Sequence, residues 1–200
     1  QTNPEHPQSL ADNRVFTVHG DPSGRLWIGT LRGLNMLIPG QQEFHLYQAD
    51  PNDPYSFHNR VFGFYEDRSG QFWLGTQAGL KRFEPETGQF TPYQTDPVYA
   101  IYEDRSGRFW IGASTGLKQF DRETGQFIHY HCDLVSAIYE DRAGILWIGT
   151  SGGLQKFSPQ TDQFLPAQSD SHELINSLRN TEILSLYADR SGVLWIGSQS

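Results

Sequence analysis

The chain has 200 residues and a net charge of −8, from 15 Lys and Arg against 23 Asp and Glu. Phosphate binding requires a clustered basic surface, so these few, scattered basic residues argue against nucleic acid or an anionic membrane surface as a partner. Cys132 is the only cysteine, which excludes an internal disulfide and a CxxC metal or redox site.

A six-residue segment with a Trp-x-Gly core recurs five times along the chain. The copies are Arg25-Leu-Trp-Ile-Gly-Thr30, Gln71-Phe-Trp-Leu-Gly-Thr76, Arg108-Phe-Trp-Ile-Gly-Ala113, Ile145-Leu-Trp-Ile-Gly-Thr150 and Val193-Leu-Trp-Ile-Gly-Ser198. Self-similarity at this period indicates a repeat architecture, in which each unit buries its apolar face against its neighbours. The function is therefore to be sought in what differs between the repeats.

Each repeat opens with a short apolar run that predicts a buried β-strand. The runs begin at Val15, Val61, Val98, Val135 and Ile183. Their third residue is always small: Thr17, Gly63, Ala100, Ala137 and Ser185. We expect this small residue to let the innermost strands crowd around a central axis.

A turn follows in every repeat, with Asp at its first position and Gly at its fourth. This is the preference of a type I turn, in which the carboxylate accepts backbone N–H groups. It joins the inner strand to the Trp strand as a hairpin. We predict structural roles for the recurring residues Asp21, Trp27, Asp67, Trp73, Asp104, Trp110, Asp141, Trp147, Asp189 and Trp195.

A Gly-Leu pair then opens a third strand, and a second turn such as Glu86-Thr-Gly88 leads to a fourth. Four short antiparallel strands per repeat describe a propeller blade, so the predicted fold is an all-β β-propeller of four-stranded antiparallel blades. The predicted division is 1–14 as the tail of a preceding blade, 15–60, 61–97, 98–134 and 135–182 as blades 1 to 4, and 183–200 as the first half of blade 5. Closing four blades would leave 183–200 redundant, so we expect an incomplete ring from a longer parent protein.

The unit V-x-x-I-Y-E-D-R-S-G-x-x-W-I-G-T-x-x-G-L-x-x-F, with the linker Asp50-Pro-Asn-Asp-Pro-Tyr-Ser-Phe-His-Asn59, resembles the two-component regulator propeller repeat. The resemblance implies a periplasmic sensor region of bacterial hybrid histidine kinases, whose signal is in several cases an oligosaccharide. It also implies that kinase activity and membrane attachment belong to other parts of the parent. The first repeat departs from the pattern at His19-Gly20, where Tyr-Glu is the commonest pair.

Antiparallel order separates the loops of each blade into two groups. The turn end carries the Asp-to-Gly and Glu-Thr-Gly turns and is nearly invariant. The connector end carries the connections between blades and the two-residue loops between second and third strands, and it varies in length and chemistry. Binding residues favour loops on a rigid scaffold, so we expect ligand contacts at the connector end. The candidates are Arg32, Tyr55, Phe57, His58, Arg60, Gln77 and His172.

Each candidate also has a plainer interpretation. Tyr55 and Phe57 can cover the edge of a blade, and Arg32 and Arg60 can be solvated or paired charges. The Asn residues at 13, 59 and 180 are expected to cap the turn into the next blade. The five aligned Asp residues lack the dense, alternating oxygen ligands of a calcium loop.

No catalytic constellation stands out. His129 and His131 alternate along the predicted fourth strand and would share a face, but no third metal ligand is evident, so we predict neither metal nor cofactor. The leading hypothesis is a non-catalytic module that binds an extracellular small molecule or oligosaccharide. The alternatives are a protein-interaction scaffold, with another propeller of the same kind as partner in a homodimer of the parent, and a propeller-fold lyase or glycosidase.

Overall fold

The computed structural model describes residues 9–53, 56–93, 96–166, 176–189 and 191–199. The chain divides into two compact units, the first ending at Val98 and the second beginning at Tyr99. Each unit is built from antiparallel sheets whose strands follow one another in chain order. We call each sheet a blade.

The first unit contains two blades of four strands. Blade 1 consists of β1 (Val15–Gly20), β2 (Leu26–Thr30), β3 (Gly33–Leu37) and β4 (Phe44–Tyr47). A short 3-10 helix, Phe57–Asn59, precedes blade 2. Blade 2 consists of β5 (Val61–Glu66), β6 (Phe72–Thr76), β7 (Gly79–Glu84) and β8 (Gln89–Pro92).

Blades 3 and 4 and a two-stranded sheet follow. Blade 3 consists of β9 (Val98–Glu103), β10 (Phe109–Ala113), β11 (Gly116–Phe120) and β12 (Phe127–Tyr130). Blade 4 consists of β13 (Val135–Glu140), β14 (Leu146–Thr150), β15 (Gly153–Ser158) and β16 (Gln163–Phe164), and the last sheet of β17 (Ile183–Ala188) and β18 (Leu194–Ser198). The predicted class, an all-β propeller of four-stranded antiparallel blades, is confirmed.

One strand-level expectation is wrong. His131 does not lie on the fourth strand with His129, because β12 ends at Tyr130. β12 pairs with β11, which begins at Gly116, and the last residue pair between the two strands is Leu117 with Tyr130. The two histidines therefore do not share a strand face.

The small residue of each inner strand has a specific neighbour. The register between inner and Trp strands shifts by one residue after the first pair, which places Ala137 opposite Gly149. A Cβ atom on Gly149 would lie 2.7 Å from Cγ2 of Ile183 and 3.3 Å from Cβ of Ala137. The small residue and the glycine together make room for the first residue of the next blade, and this is how neighbouring blades approach closely.

The Trp side chains form the centre of the cores between blades. Trp27 is fully buried, and its ring stacks on Phe64 at 5.6 Å and contacts Phe72 at 5.4 Å, both from blade 2. Trp110 is equally buried, 5.4 Å from the ring of Phe157 in blade 4. Each of these Trp residues thus joins its own blade to the next.

The Asp-to-Gly turn is tied to the Trp core through both carboxylate oxygens. In blade 3, Oδ1 of Asp104 accepts the N–H groups of Ser106 and Arg108, each at 2.9 Å, and the Ser106 hydroxyl at 2.6 Å. Oδ2 accepts the indole N–H of Trp110 at 2.9 Å. The same indole-to-carboxylate bond occurs in all five repeats, at 2.9 to 3.0 Å. The sequence predicts the turn, whereas the link to the Trp is found only in the structure.

We expect Asp104→Asn to lower the free energy of unfolding by about 2 kcal/mol at pH 7, since hydrogen bonds to a charged group are involved. The amide has one acceptor oxygen and would point a donor at either Ser106 N–H or the Trp110 indole. Urea unfolding of the variant and of the unsubstituted chain measures the difference in the free energy of unfolding. Asp189→Asn is the matched control, because Trp195 is 61% exposed and a smaller loss is expected.

The ionisation of Asp104 also predicts how the stability of the chain depends on pH. Burial alone would raise the pKa of Asp104, but hydrogen bonds from Ser106 and Trp110 outweigh it and hold the pKa below its usual value. Because the pKa is lower in the folded state, the ionised carboxylate stabilises the fold in full above the unfolded-state pKa of about 3.9. This stabilisation is lost as the pH falls through the folded-state pKa. The chain should lose stability below about pH 4 more steeply than Asp104→Asn does. Parallel pH profiles of the two would contradict this.

Candidate functional site

The connector end presents varied side chains on a constant backbone arrangement. In blade 2 the N–H of Gln77 donates to the carbonyl of Arg60 at 3.1 Å. The equivalent bonds run from Ser151 to Leu134 at 3.0 Å and from Gln199 to Glu182 at 2.9 Å. In these three repeats the residue before the inner strand therefore lies beside the first residue after the Trp strand, and this pair changes chemically from one repeat to the next.

A threonine at the end of the Trp strand holds this loop in place in blades 1, 2 and 4. The Thr76 hydroxyl donates to the carbonyl of Gly79 at 2.7 Å and accepts the N–H of Ala78 at 3.1 Å. Gly79 has a φ of +100°, which favours glycine at this turn. Thr30 and Thr150 make the corresponding bonds. The scaffold under the variable residues is thus rigid and repeated.

The long connector into blade 2 is organised by Asn59. Its buried side-chain amide donates to the carbonyls of Asp50 and Asp53, each at 2.9 Å, and its Oδ1 accepts the N–H of Asp50 at 2.8 Å. This is the capping role that the sequence predicts for this residue. It fixes the exposed His58 and the half-buried Arg60 on either side of it.

Lys81 is a residue of this site that the sequence reasoning missed. It lies on β7, only 5% exposed, and its Nζ donates to the carbonyl of His58 at 3.3 Å. Burial lowers the pKa of Lys81. The signal in the sequence is a polar residue at the third position of the third strand of each blade. The members are Asn35, Lys81, Lys118 and Gln155.

The structure brings some of the predicted candidates together. Arg60 and Gln77 are neighbours, both half-buried, and neither side chain hydrogen-bonds or forms an ion pair within the described part of the chain. Arg32 lies in the loop of blade 1, where its carbonyl accepts from Gln48 at 2.8 Å and its Nη1 lies 3.5 Å from the carbonyl of Ala11.

The remaining candidates are less fully described. Tyr55 and His172 lie outside the described residues, and so does the side chain of Phe57. Phe57 itself is the first residue of the 3-10 helix that leads to His58 and Asn59.

The arrangement around Arg60 and Gln77 offers hydrogen-bond donors and acceptors suited to a polar ligand. The guanidinium supplies a rigid fork of donors, and the amide supplies both a donor and an acceptor. Across residues 9–53, 56–93, 96–166, 176–189 and 191–199, no group of three His, Cys, Asp or Glu side chains could hold a metal ion. Within the same residues, no helix has the length and apolarity needed to cross a membrane.

Comparison with known proteins identifies the repeat. The sequence model of the family described as two component regulator propeller matches residues 9–32, 56–78, 92–115, 130–152 and 177–200. These segments cover more than half of the chain. No curated protein sequence matches it.

Solved structures share the fold. The extracellular domain described as that of the hybrid two component system BT3049 from B. thetaiotaomicron is 26% identical with a TM-score of 0.79, over 99% of this chain and 27% of that one. The corresponding domain of BT4673 from the same organism is 23% identical with a TM-score of 0.79, over 98% of this chain and 27% of that one. Virginiamycin B lyase from Staphylococcus aureus is 11% identical with a TM-score of 0.67, over 96% of this chain and 64% of that one, and shows the fold alone.

These comparisons identify the type of module. The chain spans about a quarter of the length of the extracellular domains that it matches. Because the family model is that of a two component regulator propeller and the BT3049 structure is an extracellular domain, the predicted periplasmic or extracellular location is confirmed, and so is the prediction of a sensor-type propeller module. The chain belongs to the two component regulator propeller family.

Proposed function

We propose that this chain is a non-catalytic ligand-binding part of an extracytoplasmic sensor, and that its connector end recognises an oligosaccharide. In the full-length protein, binding would be passed to a histidine kinase outside this chain. The observation that carries the proposal is a backbone frame that recurs in blades 2 and 4 while its side chains change at the connector end. A rigid scaffold that presents different loop side chains is typical of binding sites.

The chemistry of blade 2 favours a carbohydrate. Arg60 and Gln77 present donors and an acceptor that match sugar hydroxyl groups, on a frame held by Thr76 and Asn59. The buried ammonium of Lys81 supports the connector from beneath, through the carbonyl of His58. Ligand sites typically combine a few well-placed polar groups with aromatic surface, which Tyr55 and Phe57 would supply in this proposal.

The test is a thermal-shift screen of the chain against pools of neutral and acidic oligosaccharides. We expect at least one pool to raise the Tm of the unsubstituted chain. Arg60→Ala and Gln77→Ala should each lower the affinity for the active oligosaccharide of that pool at least fivefold. Arg142→Ala is the matched control, since it removes an exposed guanidinium from the turn end. Absence of any shift, or equal losses in the control, would contradict the proposal.

A further inference from the structure

At the turn end, an arginine joins neighbouring turns. The second residue of the turn in blade 3 is Arg105, whose main-chain N–H donates to Oε2 of Glu140 at 2.9 Å. Its guanidinium donates to the carbonyl of Arg142 at 3.3 Å and also to the carbonyl of Asp141. Its Nε also lies 3.5 Å from Oε2 of Glu140. One carboxylate and two carbonyls of the next blade thus hold this residue.

Between blades 1 and 2 the arginine is missing but its acceptors are present. The second turn residue is Pro22, which has no N–H and no guanidinium. Glu66 corresponds to Glu140, and the carbonyls of Asp67 and Arg68 correspond to those of Asp141 and Arg142 by their positions in the repeat. The result is a cleft of about 620 Å³, which these residues line together with His19 and Gly20.

The cleft is open to solvent, and it carries a carboxylate with one oxygen atom available to a ligand. Gly20 stands where blades 2 to 4 have glutamate, and no heavy atom lies within 4 Å of the position that a Cβ would take. Oε2 of Glu66 lies 3.2 Å from Nε2 of His19, whereas Oε1 makes no hydrogen bond within the part of the chain that the structure describes. The carboxylates of Asp21 and Asp67 are already bound to their own turns and Trp residues. Glu66 is therefore the acid that a ligand can reach.

We propose that this cleft binds a guanidinium group, which donates to Oε1 of Glu66 and to the carbonyls of Asp67 and Arg68. The planar fork of a guanidinium matches one carboxylate and two carbonyls better than the point charge of an ammonium does. A carbonyl oxygen accepts two hydrogen bonds, as that of Asp141 does from Arg105 and from Gly144. The site is at the turn end and is separate from the oligosaccharide site proposed above.

The test is a titration of the ¹⁵N-labelled chain, observed by NMR, with N-acetyl-arginine amide and with N-acetyl-lysine amide. We expect shifts of the Gly20, Ser69 and Gly70 amides, and binding of the arginine probe at least fivefold tighter than that of the lysine probe. Equal binding of the two probes, or shifts located elsewhere, would overturn the proposal.

Two variants sharpen the test. Glu66→Gln should weaken the arginine probe at least fivefold, and Pro22→Arg should abolish its binding by placing the chain's own guanidinium in the cleft. Unchanged binding in Pro22→Arg would overturn the site even where Glu66→Gln perturbs folding. Agmatine and the peptide Gly-Arg-Gly separate the two sources of a guanidinium: tighter binding of agmatine supports a small-molecule ligand, and tighter binding of the peptide supports an arginine side chain of a partner protein.

Discussion

Replacing Trp110 with alanine should lower the free energy of unfolding by about 4 kcal/mol, the cost of deleting a large aromatic side chain from a closed core. Its ring is fully buried and packs against Phe157 and Tyr130, and its indole N–H is bound to Asp104. The variant loses this packing and also leaves the buried carboxylate without one of its donors. Urea unfolding, followed by far-UV circular dichroism, measures the loss.

Trp195→Ala is the matched control for this prediction. Trp195 makes the same bond to Asp189 at 3.0 Å, but its ring is 61% exposed. We expect its replacement to cost far less, since little apolar surface returns to water. Similar losses at the two positions would show that burial between blades is not what makes the repeated Trp stabilising.

Replacing Gly112 with alanine should cost about 3 kcal/mol, because overpacking a tight core forces the backbone to move. A Cβ on Gly112 would lie 2.7 Å from Cγ1 and 2.9 Å from the carbonyl oxygen of Val135, and 2.9 Å from Cβ of Ala100. A backbone atom cannot rotate away as a side chain can. The loss is measured by the same unfolding experiment.

Gly20→Ala provides the comparison for Gly112. Gly20 lies at the end of β1 with no heavy atom within 4 Å of its would-be Cβ, and its φ is not positive. The change should be neutral or should stabilise by about 0.5 kcal/mol, by restricting the unfolded chain. A large loss at Gly20, or none at Gly112, would contradict the view that close approach of the next blade explains the invariant glycine.

Much of the fold can be predicted from the sequence because its elements recur in the same order. The Asp-to-Gly turn and the Trp-x-Gly strand occur five times and the Gly-Leu start of the third strand four times, and strands and hairpins are local features. The indole-to-carboxylate hydrogen bond cannot be predicted from the sequence, because it depends on the orientation of the Trp ring six residues after the Asp. The end of β12 cannot be predicted from it either, since strand length is set by the partner strand that begins at Gly116.

The candidate site is predicted only in outline. Variation between repeats locates it at the connector end and selects Arg60 and Gln77, which the structure places side by side. Variation does not reveal which side chains support the site from within. Lys81 lies on a strand, away from the variable loops in sequence, and its contact with the carbonyl of His58 is a tertiary feature.

NMR mapping shows whether the connector end of blade 2 binds the ligand. The ¹⁵N-labelled chain is titrated with the oligosaccharide that gives the largest thermal shift. We expect the amides of Arg60, Gln77 and Ala78 to shift, while the turn amides of Ser69 and Gly70 stay unchanged. Shifts confined to the turns, or saturable binding that leaves Arg60 and Gln77 unaffected, would contradict it.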